Sequence, residues 1–173
     1  VREFQTLARL RHPNIISIRD YGFDGDDQPF FTMELLEGAS SLLETGQAQP
    51  LSVQIDLIVQ LLNALVYLHR RGIVHRDLKP ANILVKNGQV KVLDFGTAAH
   101  RAELNTAAGT IAYMAPEILT TGTATTLSDL YAVGIIAYEL LTGAHPYDLN
   151  NPTDLIDQVL YSTPDLSKLP KTH

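Results

Sequence analysis

Eight consecutive residues, His75-Arg76-Asp77-Leu78-Lys79-Pro80-Ala81-Asn82, bring together residue types able to do chemistry. A carboxylate is followed by a lysine two positions on and an asparagine five positions on. Apolar runs bracket the segment, Ile73-Val74 before it and Ile83-Leu84-Val85 after it. Polar groups held at fixed offsets between buried anchors suit a reaction whose main difficulty is positioning its reactants. Taken singly, each of these residues reads as part of a charged surface loop. The combination reads as a site.

Two elements must hold that segment. A long helix opens at Ser52, a good N-cap, with Asp56 in its early turns. Ile55, Ile58, Leu61, Leu62, Leu65 and Leu68 recur at spacings of three and four and predict one apolar face. Arg70 and Arg71 in the last turn and Gly72 beyond it suit a helix C-terminus, which delivers the chain to His75. Downstream, Ile83–Lys86 and Gln89–Leu93 flank Asn87-Gly88, a strong hairpin signal because both turn positions want positive φ. The hairpin brings Asp94-Phe95-Gly96 beside the segment.

Elsewhere the pattern predicts the tail of a helix over residues 1–11, with Phe4, Leu7 and Leu10 in phase, stopped by His12-Pro13. Two strands follow, Ile15–Tyr21 and Phe30–Leu35, across a turn-rich charged connection. Glu37-Gly38-Ala39-Ser40 reads as a linker. A less regular stretch runs from Thr97 to Met114. A second buried helix is expected from about Asp129 to Thr142, with Ser128 as N-cap and Gly143 closing it, and a short one over Asp154–Tyr161.

The length of 173 residues fits one domain, with enough apolar content for a core. A net charge of −6 argues against nucleic acid, whose phosphates call for clustered cations. With no cysteine there is neither a disulfide framework nor a thiolate metal site, which agrees with a cytoplasmic location. The longest uncharged stretches, Leu57–Leu68 and Leu130–Tyr138, fall short of the roughly 20 apolar residues of a membrane span. No signal peptide, repeat or low-complexity tract is visible.

Four separated signals now stand in one order: His75-Arg76-Asp77 with Lys79 and Asn82, Asp94-Phe95-Gly96, Ala115-Pro116-Glu117, and Ser128-Asp129 opening a helix. Together they resemble the protein kinase family, and Lys79 at its offset resembles the serine/threonine type. The resemblance covers nearly the whole chain. It implies an α+β, protein kinase-like fold, truncated at both ends. Residues 1–36 would be a remnant of the small lobe and hinge, the end of one helix plus two strands. Residues 37–173 would be a mostly helical large lobe without its last helices.

The resemblance also implies roles. Asp77 would orient a serine or threonine hydroxyl of a protein substrate toward the γ-phosphoryl of ATP, with Lys79 supplying positive charge. Asn82 and Asp94 would offer hard oxygen ligands to Mg²⁺. Read without the family, Asn82 could be a loop cap and Asp94 a turn residue. Met33 fits the gatekeeper position, Glu34 to Leu36 the hinge that bonds adenine through its backbone, and Leu84 the apolar floor. Leu7, Ile18, His75 and Phe95 would stack as a structural spine anchored by Asp129, which makes His75 a packing residue. Arg76 is the family's mark of control by phosphorylation. Thr106 stands where the family is commonly phosphorylated and reads equally well as a loop threonine. Thr110 would bond Asp77 and Lys79, and Glu117 would pair with an arginine beyond His173. Because Ala81 stands where basophilic members often carry glutamate, a strong basic substrate requirement is not expected.

The chain departs from the family at its start. Glu3 fits the helix glutamate that pairs with a strand lysine, yet neither that lysine nor a glycine-rich loop is present, since residues 1–173 contain no G-x-G-x-x-G. The full-length protein is expected to be an active kinase, and the 173-residue piece alone inactive or nearly so. Further domains are compatible with either end. The alternatives are a pseudokinase scaffold and a small-molecule phosphotransferase of the aminoglycoside or choline type. Leu78-Lys79-Pro80, Asp94-Phe95-Gly96 and Ala115-Pro116-Glu117 favour the protein substrate.

Overall fold

The computed structural model describes residues 10–25, 28–94 and 108–170. Most of the helix expected over residues 1–11, with Glu3 and Leu7, lies outside them, as do Phe95, Gly96 and Thr106. In chain order the elements are β1 (Ile18–Phe23), β2 (Pro29–Met33), β3 (Ser40–Ser41), α1 (Leu42–Gly46) and α2 (Leu51–His69). A 3-10 turn at Pro80–Asn82 leads into β4 (Ile83–Lys86) and β5 (Gln89–Val92). Then come α3 (Ala108–Ile111), α4 (Pro116–Thr121), α5 (Thr126–Thr142), α6 (Pro152–Tyr161) and a 3-10 turn at Leu166–Lys168. Two small antiparallel sheets therefore stand beside a helical body, an α+β arrangement.

The hairpin forms as expected. Asn87 and Gly88 both have positive φ, 50° and 76°, and Leu84 pairs with Lys91 across the strands. Val85, Val90 and Val92 point into the core, so Leu84 and Lys91 share the opposite face. β3 adds a third strand, Ser40 opposite Val85 and Ser41 opposite Leu84, where the sequence suggested only a linker. Ser41 also caps α1 through a reciprocal box with Glu44.

Several boundaries differ from expectation. Ile15 and Ile16 do not join β1. Ile15 bridges Val92, the Ile16 amide donates to the Val92 carbonyl at 3.0 Å, and the Val92 amide donates to the Asn14 carbonyl at 2.9 Å. These residues tie the start of the chain to β5 before β1 turns away. β2 ends at Met33, which frees Glu34 and Leu35 from the ladder.

The long helix starts two residues earlier than expected, with Pro50 and not Ser52 at the N-cap and no side-chain cap. Gln54 makes the connection instead, donating from Nε2 to the carbonyls of Gly46, Gln47 and Leu140. Its buried face is Leu57, Leu61, Ala64, Leu65 and Leu68, whereas Ile55 is 46% exposed. Ile58 and Leu62 of the expected face pack half-buried against that stripe, and Ile55 alone falls outside it, about two positions out of phase with Leu57. Arg70 and Arg71 fall just past the last helical residue, His69. At 19 residues and mean hydropathy 1.7, α2 is long and apolar enough to cross a membrane, contrary to the sequence estimate. It nevertheless packs its leucine edge in the core, against α5 and β5.

α5 begins at Thr126, because Thr125 and not Ser128 is the N-cap. Ser128 completes the capping box from the third helical position, its Oγ accepting the Thr125 amide at 2.9 Å. Gly143 closes the helix with φ 77° as expected. α6 likewise starts two residues early, at Pro152, capped by Asn151. Two buried clusters result. The larger joins α2, the hairpin and one side of α5, and the smaller joins Ile111, Ala112, Ile135, Tyr147, Leu155 and Val159.

Candidate active site

Asp129, 2% exposed at the start of α5, builds the catalytic-type loop from below. Its Oδ2 accepts the His75 amide at 2.8 Å, its Oδ1 accepts the Arg76 amide at 3.0 Å, and His69 Nε2 lies 2.7 Å from Oδ2. These bonds hold Arg76 at φ 73°, a left-handed conformation that costs a non-glycine residue about 1–3 kcal/mol unless its surroundings enforce it. Asp94, at the far end of the hairpin, is also left-handed, φ 49°. The sequence pattern gave no sign of either strained residue.

His75 is buried in this floor. The Leu93 carbonyl, 2.8 Å from Nε2, can only accept, so the proton sits on Nε2. Nδ1 is then the acceptor facing the Asp77 amide at 3.4 Å. Burial holds the imidazole below its ordinary pKa, against the raising influence of Asp129. A neutral imidazole with both nitrogens engaged is a packing group, as expected.

Above it the three chemical residues converge on one carboxylate. Asn82 Nδ2 donates to the Asp77 carbonyl at 2.8 Å and to Asp77 Oδ2 at 3.1 Å, and Lys79 Nζ lies 2.9 Å from the same Oδ2. With its amide hydrogens spent on Asp77, Asn82 keeps Oδ1 as a ligand atom for a hard cation. Asp77 Oδ1 takes no hydrogen-bond partner among the described residues. Asn82 is locked in turn by its own amide on the Lys79 carbonyl and by the Leu93 amide on its carbonyl, both 2.9 Å. Asp94 follows Leu93 directly, so the hairpin brings the second carboxylate to the loop.

Thr110 reaches this group from the other side. Lys79 Nζ donates to its Oγ1 at 3.3 Å, while the expected bond between Thr110 and Asp77 is not formed. Tyr113 closes the same turn, its amide donating to the Thr110 carbonyl and its hydroxyl to Glu139 Oε2 at 2.6 Å. Burial, then the Glu139 carboxylate, push the Tyr113 phenol up, so it remains a donor. Glu117 accepts a 2.6 Å bond from Ser128 Oγ, so among the described residues it has a hydroxyl partner and not a cation. A cavity of about 10 Å³, the room of one water, separates the loop from this turn between Asp77, Thr110, Tyr113 and Asp129.

On the hinge side, Met33 is 36% exposed and Glu34, Leu36 and Leu84 are half-buried. The Glu34 amide donates to the Ser17 carbonyl and the Ala39 amide to the Leu36 carbonyl. Among the described residues no backbone group occupies the Glu34 carbonyl or the Leu36 amide, so both are open to a planar heterocycle. Sequence reasoning missed the ion pair here. Lys91 Nζ lies 3.0 Å from Glu34 Oε1, which also accepts the Ser17 amide at 3.0 Å. Burial pushes the Glu34 carboxyl up, but Lys91 and Ser17 together outweigh it and hold it below its usual range. The signal was available in the alternation of β5, which sets Lys91 on the Leu84 face. A groove of about 450 Å³ continues past Lys91 between Leu35, Leu36, Lys86 and Gln89, and Leu84 and Asp94 are not part of its wall.

A loop carrying Asp, Lys and Asn, anchored on a buried helix aspartate and followed by a hairpin ending in Asp, defines the large-lobe core of a phosphotransferase fold. The protein kinase domain family matches residues 1–172, and the chain belongs to that family. It is 42% identical over 155 residues to the probable serine/threonine-protein kinase PknB of Lactococcus lactis, covering 85% of this chain and 25% of that protein. It is 39% identical over 156 residues to the serine/threonine-protein kinase PrkC of Bacillus subtilis, covering 85% of this chain and 24% of that protein. Among solved structures, Rad53 1–466 in complex with AMP-PNP superposes with TM-score 0.79 at 30% identity, covering 96% of this chain and 44% of that one. The chain thus spans about a quarter of the length of these two curated relatives. The family's general use of ATP and Mg²⁺ agrees with the oxygen ligands and the open hinge groups found here.

Proposed function

We propose that the protein carrying this chain is a serine/threonine protein kinase that acts in the cytoplasm. In this reading residues 1–36 belong to the small lobe and hinge, and residues 37–173 to the large lobe. The Glu34 carbonyl and Leu36 amide bind adenine above Leu84, and Met33 borders that site. The acceptor hydroxyl lies on Asp77 Oδ1. Its oxygen bonds to the γ-phosphorus as the bond to the β,γ-bridging oxygen breaks, ADP leaves, and Asp77 takes the hydroxyl proton. Lys79 supplies positive charge where negative charge redistributes, and Thr110 holds Lys79 in place. Asn82 Oδ1 and Asp94 would hold Mg²⁺, which supplies charge neutralisation of the phosphates. Arg76 and Thr106 would serve control by phosphorylation, a phosphate adding about −1.5 to −2 charges that arginine can clamp.

The observation that carries this reading is the double donation of Asn82 to Asp77, at 2.8 and 3.1 Å, which aims one carboxylate oxygen and frees one amide oxygen. Residues 1–173 alone contain no phosphate-covering glycine loop and are expected to be inactive. The full-length protein should transfer labelled phosphate from ATP to serine or threonine in a protein, and Asp77→Asn should lower that rate about 10²- to 10⁴-fold. Nucleotide binding without transfer to any of a broad panel of proteins would favour a scaffold role instead. Transfer to a small hydroxyl compound alone would favour the small-molecule reading.

A further inference from the structure

We infer that His145 is a positioning residue for the protein acceptor, acting through the carbonyl of Ala112. The inference rests on the kinase reading above and extends it to the acceptor wall.

His145 follows the left-handed cap of α5 and is half-buried. Its Nε2 lies 3.1 Å from the Ala112 carbonyl, which can only accept, so Nε2 carries the proton. Nδ1 lies 3.2 Å from both the amide and the carbonyl of Tyr147, so the second ring nitrogen is also held by one residue. Tyr147 itself is buried in the smaller cluster, so the ring is oriented before any substrate arrives.

Ala112 is 1% exposed and directly follows the four-residue helix α3, where carbonyls run out of helical partners. Among the described residues no backbone amide donates to it. His145 is its donor. The imidazole also meets the Tyr113 ring edge-on, centroids 5.5 Å apart at 89°. Three side-chain bonds thus pin three residues of this turn: Lys79 to Thr110, His145 to Ala112, and Tyr113 to Glu139. The first reaches the catalytic loop, and the other two reach the end of α5 and the loop after it.

Thr110 and Tyr113 line the small cavity beside Asp77, so this turn forms the wall past which a hydroxyl must approach Asp77 Oδ1. The hinge, Leu84 and Asp94 lie on other elements. Loosening Ala112 should therefore disturb acceptor binding and spare ATP.

The test is steady-state kinetics of the full-length protein with a protein acceptor, comparing His145→Gln with His145→Asn. Glutamine places an amide nitrogen at about the reach of Nε2, and asparagine falls short by one methylene. The asparagine variant should raise the acceptor KM about tenfold, the equivalent of one lost hydrogen bond, with the ATP KM unchanged. The glutamine variant should recover most of the loss. Parallel shifts in both KM values, equal loss in both variants, no change in either, or an unfolded asparagine variant beside a folded glutamine one would each overturn the inference. Failure of the wild type to phosphorylate any protein would instead overturn the kinase reading.

Discussion

Two neighbouring residues of α5 support two different regions. Asp129 holds the loop at His75 and Arg76 through backbone amides, whereas one position earlier Ser128 holds Glu117 of α4 through a hydroxyl. The loop region is packed on the larger cluster and pinned mainly by backbone groups. The turn at Thr110–Tyr113 is packed on the smaller cluster and pinned by side chains of Lys79, His145 and Glu139. Backbone pinning demands an invariant geometry but tolerates few substitutions at its anchor. Side-chain pinning lets the wall beside the acceptor be retuned one residue at a time. In the proposed reading the chemistry is built the first way and the acceptor wall the second.

The largest effect should come from breaking the shared post. Asp129→Ala leaves the buried amides of His75 and Arg76 without an acceptor, at about 1–3 kcal/mol each. Denaturant unfolding should show a loss of about 2–5 kcal/mol, with phosphotransfer lost as Arg76 leaves its left-handed conformation. A folded, active Asp129→Ala protein would mean that the loop holds itself.

A smaller effect separates the donor side from the acceptor side. Lys91→Met removes the cation from Glu34 but leaves the Ser17 amide, so the hinge should loosen without unfolding. Since partly exposed ion pairs are worth about 0.2–1 kcal/mol, the ATP KM should rise about twofold to fivefold with the acceptor KM unchanged. This is the mirror image of the His145 result. Equal changes in both constants would erase the distinction between the two sides.

These contrasts also explain what the sequence could disclose. The loop was legible because Asp77, Lys79 and Asn82 lie within six residues and act on one another locally, and Asn87-Gly88 fixes the hairpin by turn chemistry. Asp129 could be named only from the family resemblance, because its partners stand 53 and 54 positions away. The Lys91–Glu34 pair spans 57 positions and the His145–Ala112 bond 33, so local periodicity names neither partner, although the alternation of β5 does set the face on which Lys91 stands. Helix starts were misread where a single good capping residue, Ser52 or Ser128, outranked the true boundary. At Ser128 the reciprocal Thr125 box decides. At Pro50 there is no side-chain cap, and Gln54 ties the helix start to its neighbours by donating to their carbonyls. The misplacement of Ile55 on α2 has the same origin, since only packing against α5 and β5 selects Leu57 over it.

The smallest expected effect concerns stability and pH. The His75 pKa is lowered in the folded protein, so the unfolded chain takes up that proton first as pH falls below 6.5. Stability from His75 is therefore present above 6.5 and is lost as pH drops from there toward the folded value. His12, also lowered by burial first and then by Arg71, contributes in the same direction. In His75→Phe the decline of melting temperature on acidification should be shallower but not absent. An unchanged slope would mean that His75 is already charged in the folded state.

The central claim is that Asp77 orients the acceptor and has no part in holding nucleotide. Single-turnover phosphotransfer and ATP affinity, measured side by side for Asp77→Asn in the full-length protein, test it most directly. Transfer should fall about 10²- to 10⁴-fold while the Kd for ATP stays within about twofold. Undiminished transfer, or an equal loss of ATP binding in a folded variant, would contradict it.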